Sequence, residues 1–461
     1  MQNSKTNLIK YLNKGESTVK NNLSKTITFW AALSTVIGLV IGSGVFFMPQ
    51  QIFKATGGAP GLGIFAWILG GIITIAAGLT ATEISALFPE TGGMMVYMRE
   101  IYGEKLSYLT AWMQTILYFP SVIAALSILF AEQACIVINC PNLKIPIAIG
   151  IIIFIVILNL FGSKTGGFVQ IISTVGKLIP IVLIIAFGFI NNKHASNIMT
   201  PFLGHNLSFA SVLGQVLVAT LFAYDGWIYV GNIAGEMKNP KKDLPIAIIG
   251  GLMIIMAVYI AINIAFILVV PAKDLATNST PASLVAQKLF GNVGAQVINI
   301  GILISILGTL NGYILTAPRV PFVLANNRLL PFSKIFSKVN KKNVPANATW
   351  LIAILAMLYA LSGQFSLLSN LSIFTIWIFY SLIFIGVFKL RKERPEIDRP
   401  YKVIGYPIIP LIAILGGLFV TINQLFMSGL KTSIIAIGGL IITLVGIPLY
   451  HYMLKRKNFK Y

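Results

Sequence analysis

Val40-Ile41-Gly42-Ser43-Gly44-Val45-Phe46 lies in the middle of an apolar run over residues 27–49, where an unbroken helix would favour alanine or leucine. Each of its two glycines costs a helix about 1 kcal/mol relative to alanine. In hydrocarbon, any backbone group freed by an unwound turn must find a partner inside the protein. A break at mid-depth therefore belongs where the backbone lines a cavity or grips a ligand. The competing reading is close packing, since small residues let membrane helices approach one another.

Both readings need a membrane, and the totals supply it. The chain of 461 residues is 56% hydrophobic and 10% charged, with a mean hydropathy of +0.85. A soluble domain carries far more charge. Apolar runs recur at about twenty residues, the length that crosses a bilayer as a helix. The fold class expected is an all-α membrane protein of twelve transmembrane helices, near residues 27–49, 61–88, 106–134, 145–162, 168–190, 207–234, 244–270, 292–317, 347–363, 369–389, 404–427 and 432–453.

A cytoplasmic N-terminus assigns 27 of the 34 Lys and Arg residues to cytoplasmic segments. Six fall in external loops (Lys54, Lys144, Lys193, Lys273, Lys288 and Lys431), and Lys177 lies inside a span. This bias follows the positive-inside rule with both termini cytoplasmic. The net charge of +21 then reflects topology and attraction to anionic membrane lipid; no nucleic-acid partner is expected. The tail over residues 1–26 is polar and lysine-bearing, so no cleavable signal is expected there. A short tail over 454–461 closes the chain. The segment from Pro89 to Glu104 reads as an amphipathic cytoplasmic connector, and Pro318 to Ala346 as a basic, partly helical one.

A second break, Leu221-Phe222-Ala223-Tyr224-Asp225-Gly226-Trp227, interrupts span six. An odd number of spans separates spans one and six, so a repeat of five would lie inverted in the membrane, a layout that puts the binding site at the paired breaks. Asp225 is costly in hydrocarbon and should face a cavity or a partner. Span one runs outward, so the helix restarting after Gly44 aims free N–H groups and a positive dipole end at the cavity, which suits a carboxylate. Span six runs inward, and its outer half ends near Phe222 with free carbonyls, which suit an ammonium. The pair describes a zwitterionic amino acid. Lys177 lies about ten residues from either end of its span, roughly 15 Å at 1.5 Å per residue, beyond a lysine's reach to water. It is read as functional. Glu83 reads as a partner for cytoplasmic basic groups, Glu132 as interfacial, and Met94 and Met95 as packing.

Several chemistries are excluded. Gly162-Ser163-Lys164-Thr165-Gly166 and Gly176-Lys177 lack the Gly-Lys-Ser/Thr phosphate loop. No Ser-His-Asp set or paired catalytic carboxylates occur, so no enzyme is expected. Cys135, Cys140 and the scattered His194, His205 and His451 suggest neither a disulfide framework nor a metal centre, and no cofactor is expected. Asn206-Leu207-Ser208 and Asn278-Ser279-Thr280 match the glycosylation sequon by chance.

Ile41-Gly42-Ser43-Gly44-Val45-Phe46, Phe222-Ala223-Tyr224-Asp225-Gly226-Trp227, Gly235-Glu236-Met237-Lys238-Asn239-Pro240 and Gly176-Lys177-Leu178-Ile179-Pro180 together resemble the amino acid–polyamine–organocation superfamily. Within it the chain is similar to the L-type amino acid transporter (LAT) branch and looks most like its bacterial serine/threonine and alanine–serine–cysteine exchangers. The resemblance covers nearly the whole chain. It implies a LeuT-type fold: one five-helix repeat over 27–190, an inverted second over 207–389, and peripheral spans over 404–453. It also implies sodium-independent exchange of small neutral L-amino acids by alternating access in a bacterial cell membrane. Gly42, Ser43 and Gly44 would hold the substrate carboxylate, and carbonyls of Ile41, Phe222, Ala223 and Asp225 the amino group, with the Phe222 ring as outer gate. Lys177 would stand where related symporters bind sodium, bridging span five to span one and to Ser305 or Thr309. Tyr259 would lie close to the site. Asp225 departs from the glycine common in animal members. Cys140-Pro141 lies where those members bond a heavy chain, but no such partner is expected here. Proton-coupled uptake with Lys177 titrating, polyamine antiport through Asp225, and a non-transporting amino acid sensor are the alternatives. Uptake into liposomes with and without internal amino acid, at two pH values, separates exchange from proton-coupled uptake.

Overall fold

The structure is a computed structural model that describes residues 25–191, 198–426 and 429–458. Expectations for the N-terminal tail up to Ser24, for Lys193 and His194, and for residues 459–461 fall outside the described residues. Among the described residues the regular elements are helical, and the only strand-like pairing is one bridge between Ile27 and Met237. Among the described residues ten helices are long and apolar enough to cross a membrane. Two shorter apolar helices, Lys144–Leu160 and Ala346–Ala360, stand where spans four and nine were expected. The protein is a multi-pass membrane protein, and the span numbers of the sequence reading are kept below.

Local chemistry sets where the helices start. Thr28 caps span one, its hydroxyl accepting the Ala31 N–H at 3.3 Å, and the helix runs Phe29–Val40 before the break. Pro60 opens span two, Pro60–Leu87, at a position where its missing N–H is harmless. Span one is central: 83% of its apolar window is buried, against 39% for Ile408–Phe426 and 22% for the last span. The inner half of span one packs against spans five, seven and eight, and its outer half against span six. Those contacts put the two breaks beside each other.

Two connectors carry regular structure of their own. The segment after Pro89 holds a helix, Met94–Tyr102, whose Met94, Met95, Val96, Tyr97, Met98 and Ile101 are buried. It is tucked beneath span six, with the Gly92 N–H donating to Asn232 O at 3.2 Å. The amphipathic connector expected here is thus part of the packed core, with Met94 and Met95 packing as expected. Span eight belongs to a longer helix, Pro281–Thr316, kinked at Gly291 with φ 70. The basic stretch that follows is partly helical, over Arg319–Asn326 and Ser333–Phe336.

Candidate functional site

The last carbonyls of a helix have no partner within it and must be met from outside. In span one they are met by three neighbouring spans. The Ile41 N–H closes the final turn onto Ile37 O at 2.8 Å. Lys177, wholly buried, donates from Nζ to Gly38 O at 2.9 Å and to Ile41 O at 2.5 Å. Thr309 Oγ1 lies 2.9 Å from Gly38 O and 3.2 Å from the Lys177 ammonium. The Tyr259 hydroxyl reaches Val40 O at 2.7 Å, and Ser305 Oγ donates to Gly42 O at 3.3 Å. Lys177 is therefore a cation seated on a helix C-terminus, the end that favours positive charge. Its three acceptors are neutral oxygens. Of the two span-eight residues singled out in the sequence, Thr309 meets Lys177 and Ser305 meets the break itself.

The other side of the break is open. The outer half of span one begins at Gly44 and runs to Ala55. Phe46 and Phe47 donate their N–H groups to Ser43 O at 3.0 and 3.1 Å. Among the described residues the N–H groups of Gly42, Ser43 and Gly44 have no acceptor, and Ser43 Oγ is buried without a partner. Gly44 has a further constraint that the sequence did not show. A Cβ there would lie 2.7 Å from both Cα and Cβ of Ala223, so the two broken spans cross backbone to backbone at this point.

Span six is helical over Phe209–Ala223 and resumes as a 3-10 helix over Trp227–Glu236. Between them Gly226 adopts φ 112, a conformation glycine reaches without steric cost. The carbonyls expected to serve an ammonium group already accept bonds in this state: Ile41 O from Lys177, Phe222 O from the Asp225 N–H at 3.2 Å, and Ala223 O from Tyr259 at 2.9 Å. Each keeps a second lone pair. The single Tyr259 proton is shared between Val40 O and Ala223 O, and so bridges the breaks. Tyr259→Phe is expected to lose about 1 kcal/mol of that link and to lower the unfolding temperature at unchanged yield. A wild-type unfolding temperature would show that the bridge adds no stability.

The breaks enclose a collapsed cavity of about 20 Å³, lined by Ser43, Gly44, Val122, Leu126, Phe222, Asp225, Thr309 and Tyr313 among others. That is space for about one water, so an amino acid enters only if the walls move. Phe222 packs edge-on against Phe365 with ring centroids 5.6 Å apart. Phe365 in turn lines a second cavity of about 650 Å³ with Gln50, Glu132 and Lys144, on the face that the charge bias assigns to the outside. The two rings thus separate the site from this larger cavity, called the vestibule below.

The opposite side is closed by groups the sequence reading missed. The Tyr118 hydroxyl donates to Asp225 Oδ2, and the Tyr380 hydroxyl donates to Asp225 Oδ1 at 2.8 Å. Tyr313 and Tyr229 extend the cluster, their hydroxyls 3.3 Å from Tyr118 and 3.2 Å from Tyr380. Spans three, six, eight and ten are tied together through one buried carboxylate. Phe119-Pro120, in mid-span, was the available signal: proline removes a ladder donor, and a π-helical turn, Gln114–Tyr118, stands immediately before it. Such turns collect at functional sites. Further along span six, Glu236 pairs with Arg319 at 2.8 Å with both side chains buried, and Arg319 also donates to Ser163 Oγ at 2.8 Å.

Glu83 and Glu132, the two other carboxylates singled out in the sequence, have structural partners. Glu83 meets Arg391 at 2.6 Å and Arg399 at 3.3 Å and accepts the Val403 N–H at 2.7 Å. Glu132 pairs with Lys144 at 2.5 Å on the vestibule wall. Among the described residues no cluster of three or more metal-ligating side chains occurs.

Known proteins match along this whole architecture. The amino acid permease family matches residues 27–447. The serine/threonine exchanger SteT of Bacillus subtilis is 41% identical over 448 residues, covering 95% of this chain and 99% of that protein. The human cystine/glutamate transporter is 27% identical over 94% of this chain and 86% of its own length. The human b(0,+)-type amino acid transporter 1 is 28% identical over 87% and 82%.

Proposed function

Because the chain belongs to the amino acid permease family, membrane transporters of amino acids and not enzymes, we propose that it exchanges small neutral L-amino acids without sodium, by alternating access. The carrying observation is the asymmetry of the span-one break. Its carbonyl side is satisfied by Lys177, Thr309, Tyr259 and Ser305, while the N–H groups of Gly42, Ser43 and Gly44 stand free. Free N–H groups at a helix start receive an anion, here the substrate carboxylate. The ammonium takes the spare lone pairs of Ile41, Phe222, Ala223 and Asp225 carbonyls. Once the walls move apart, Val122 and Leu126, with Ser43 and Thr309, would bound a space suited to small side chains such as those of serine, threonine, alanine or cysteine. The serine/threonine exchanger relative supports this choice.

In this reading the twelve helical segments form a LeuT-type fold, with spans one to five and six to ten as inverted repeats and both termini cytoplasmic. Phe222 and Phe365 form the outer gate, and the Asp225–tyrosine cluster with the Glu236–Arg319 pair forms the inner one. Lys177 replaces sodium, since two carbonyls and a hydroxyl around one ammonium are a donor set that a monovalent cation would otherwise use. The protein works without a heavy chain. One observation favours a second reading, proton-coupled uptake: Lys177 has neutral acceptors alone, so its proton can leave without stranding a counter-charge.

Liposomes loaded with serine should accumulate labelled serine without sodium, and empty ones should do so poorly. Uptake into empty liposomes driven by a pH gradient, equal to that into loaded ones, would select the proton symporter. Serine amide should compete at least about tenfold more weakly than serine, because losing a charge-assisted bond costs about 1.5–3 kcal/mol. Equal competition by the amide would remove the carboxylate orientation.

A further inference from the structure

Span three ends in a turn that brings the chain's only two cysteines together. Its helix reaches Ile138, and Asn139 follows with left-handed φ 52 and ψ 53. The turn folds back tightly, the Cys140 N–H donating to Cys135 O at 3.2 Å. Both thiols are free and partly exposed. The Cys140 thiol points at Cys135 Sγ from 3.3 Å, and the Cys135 thiol donates to Cys140 O at 2.8 Å. A disulfide needs a sulfur separation of about 2.05 Å, so closing this one requires about an ångström of side-chain rotation within a turn already formed. Cys135 also lines the outer vestibule, where solutes on that face can reach it.

We propose that Cys135 and Cys140 are a thiol-oxidation site that closes to an intramolecular disulfide at the vestibule rim, the oxidant being a low-molecular-weight disulfide. One cysteine thiolate attacks a sulfur of the reagent, forming a mixed disulfide and expelling one reagent thiolate. The second cysteine, its proton lost to water, attacks the protein-side sulfur and expels the other. Two electrons pass from the pair to the reagent, and two protons end on the released thiols. The bond joins the last turn of span three to the turn leading into span four. There Lys144 already holds Glu132 at 2.5 Å and Gly363 O at 3.2 Å, so oxidation staples one wall of the vestibule. It also leaves the chain no thiol with which to bond another protein. Extracellular surroundings favour such bonds.

The test uses the full chain in liposomes, oxidised glutathione as the probe, intact mass, maleimide counting and a non-reducing gel. The oxidised protein should lose the mass of two hydrogens, lose both maleimide-reactive thiols, run as a single chain and recover with reductant. Cys140→Ser should instead hold one stable glutathione adduct on Cys135, because no second thiol can resolve it. The proposal is overturned if wild-type protein accumulates the adduct as the variant does, forms chain-to-chain disulfides, or keeps both thiols under conditions that modify the variant. Failure of both proteins to react would overturn it too, since the rim would then be closed to the reagent.

Discussion

Lys177→Ala is expected to lower the proposed serine exchange by about tenfold or more while leaving the yield of folded protein close to that of the parent. The ammonium holds Gly38 O and Ile41 O, and hydrogen bonds made by a charged donor each contribute about 1.5–3 kcal/mol. Folding should tolerate the loss, because the substitution also removes a wholly buried charge that no carboxylate compensates. Thr309 remains within reach of Gly38 O, so the inner half of span one keeps part of its cap. What is lost is the tether between span five and the break, which sets the position of Gly42 to Gly44. Under the proposed alternating access only some conformations would use that tether, so internal and external apparent affinities should change unequally. Oriented liposomes report both. Wild-type exchange with both affinities intact would make Lys177 a packed lysine and nothing more.

Gly44→Leu should abolish transport, and Gly44→Ala should already impair it severely. The first reason is the free N–H groups: a side chain at Gly44 intrudes where a carboxylate must approach. The second came from the fold. A Cβ at this position meets the Cα and Cβ of Ala223 at 2.7 Å, and backbone cannot rotate aside as a side chain can. Overpacking of this kind costs about 1–3 kcal/mol and would separate the two breaks that form the site. Serine binding measured by thermal shift, beside the yield of monodisperse protein, distinguishes the two. A well-folded Gly44→Ala protein with wild-type serine affinity would show that neither constraint governs the site.

Much of this was open to reading in the sequence because the bilayer simplifies the problem. Hydrocarbon forces backbone groups to pair internally, so the breaks within Val40–Phe46 and Leu221–Trp227 and the isolated Lys177 stand out against long apolar runs. The same reasoning placed Glu83 beside basic groups, where Arg391 and Arg399 now hold it. It was weaker for the connector after Pro89. Its amphipathic pattern is compatible with a membrane surface or with a packed cradle, and only contact with Asn232 and its neighbours selects the cradle.

The sequence by itself determined the solvent, the class of fold and the two places where helices must fail, since those follow from local composition and the cost of unpaired polar groups. It could not determine which groups meet at those places. The choice of Thr309 over Ser305 for Lys177, the Tyr259 bridge, the crossing of Gly44 on Ala223 and the tyrosines around Asp225 join residues tens to hundreds of positions apart. Tyrosines in an apolar span look alike until packing turns one hydroxyl toward a carboxylate and another toward lipid. Such contacts arise from the angles at which helices cross, and those angles are a property of the assembled bundle, not of any one span.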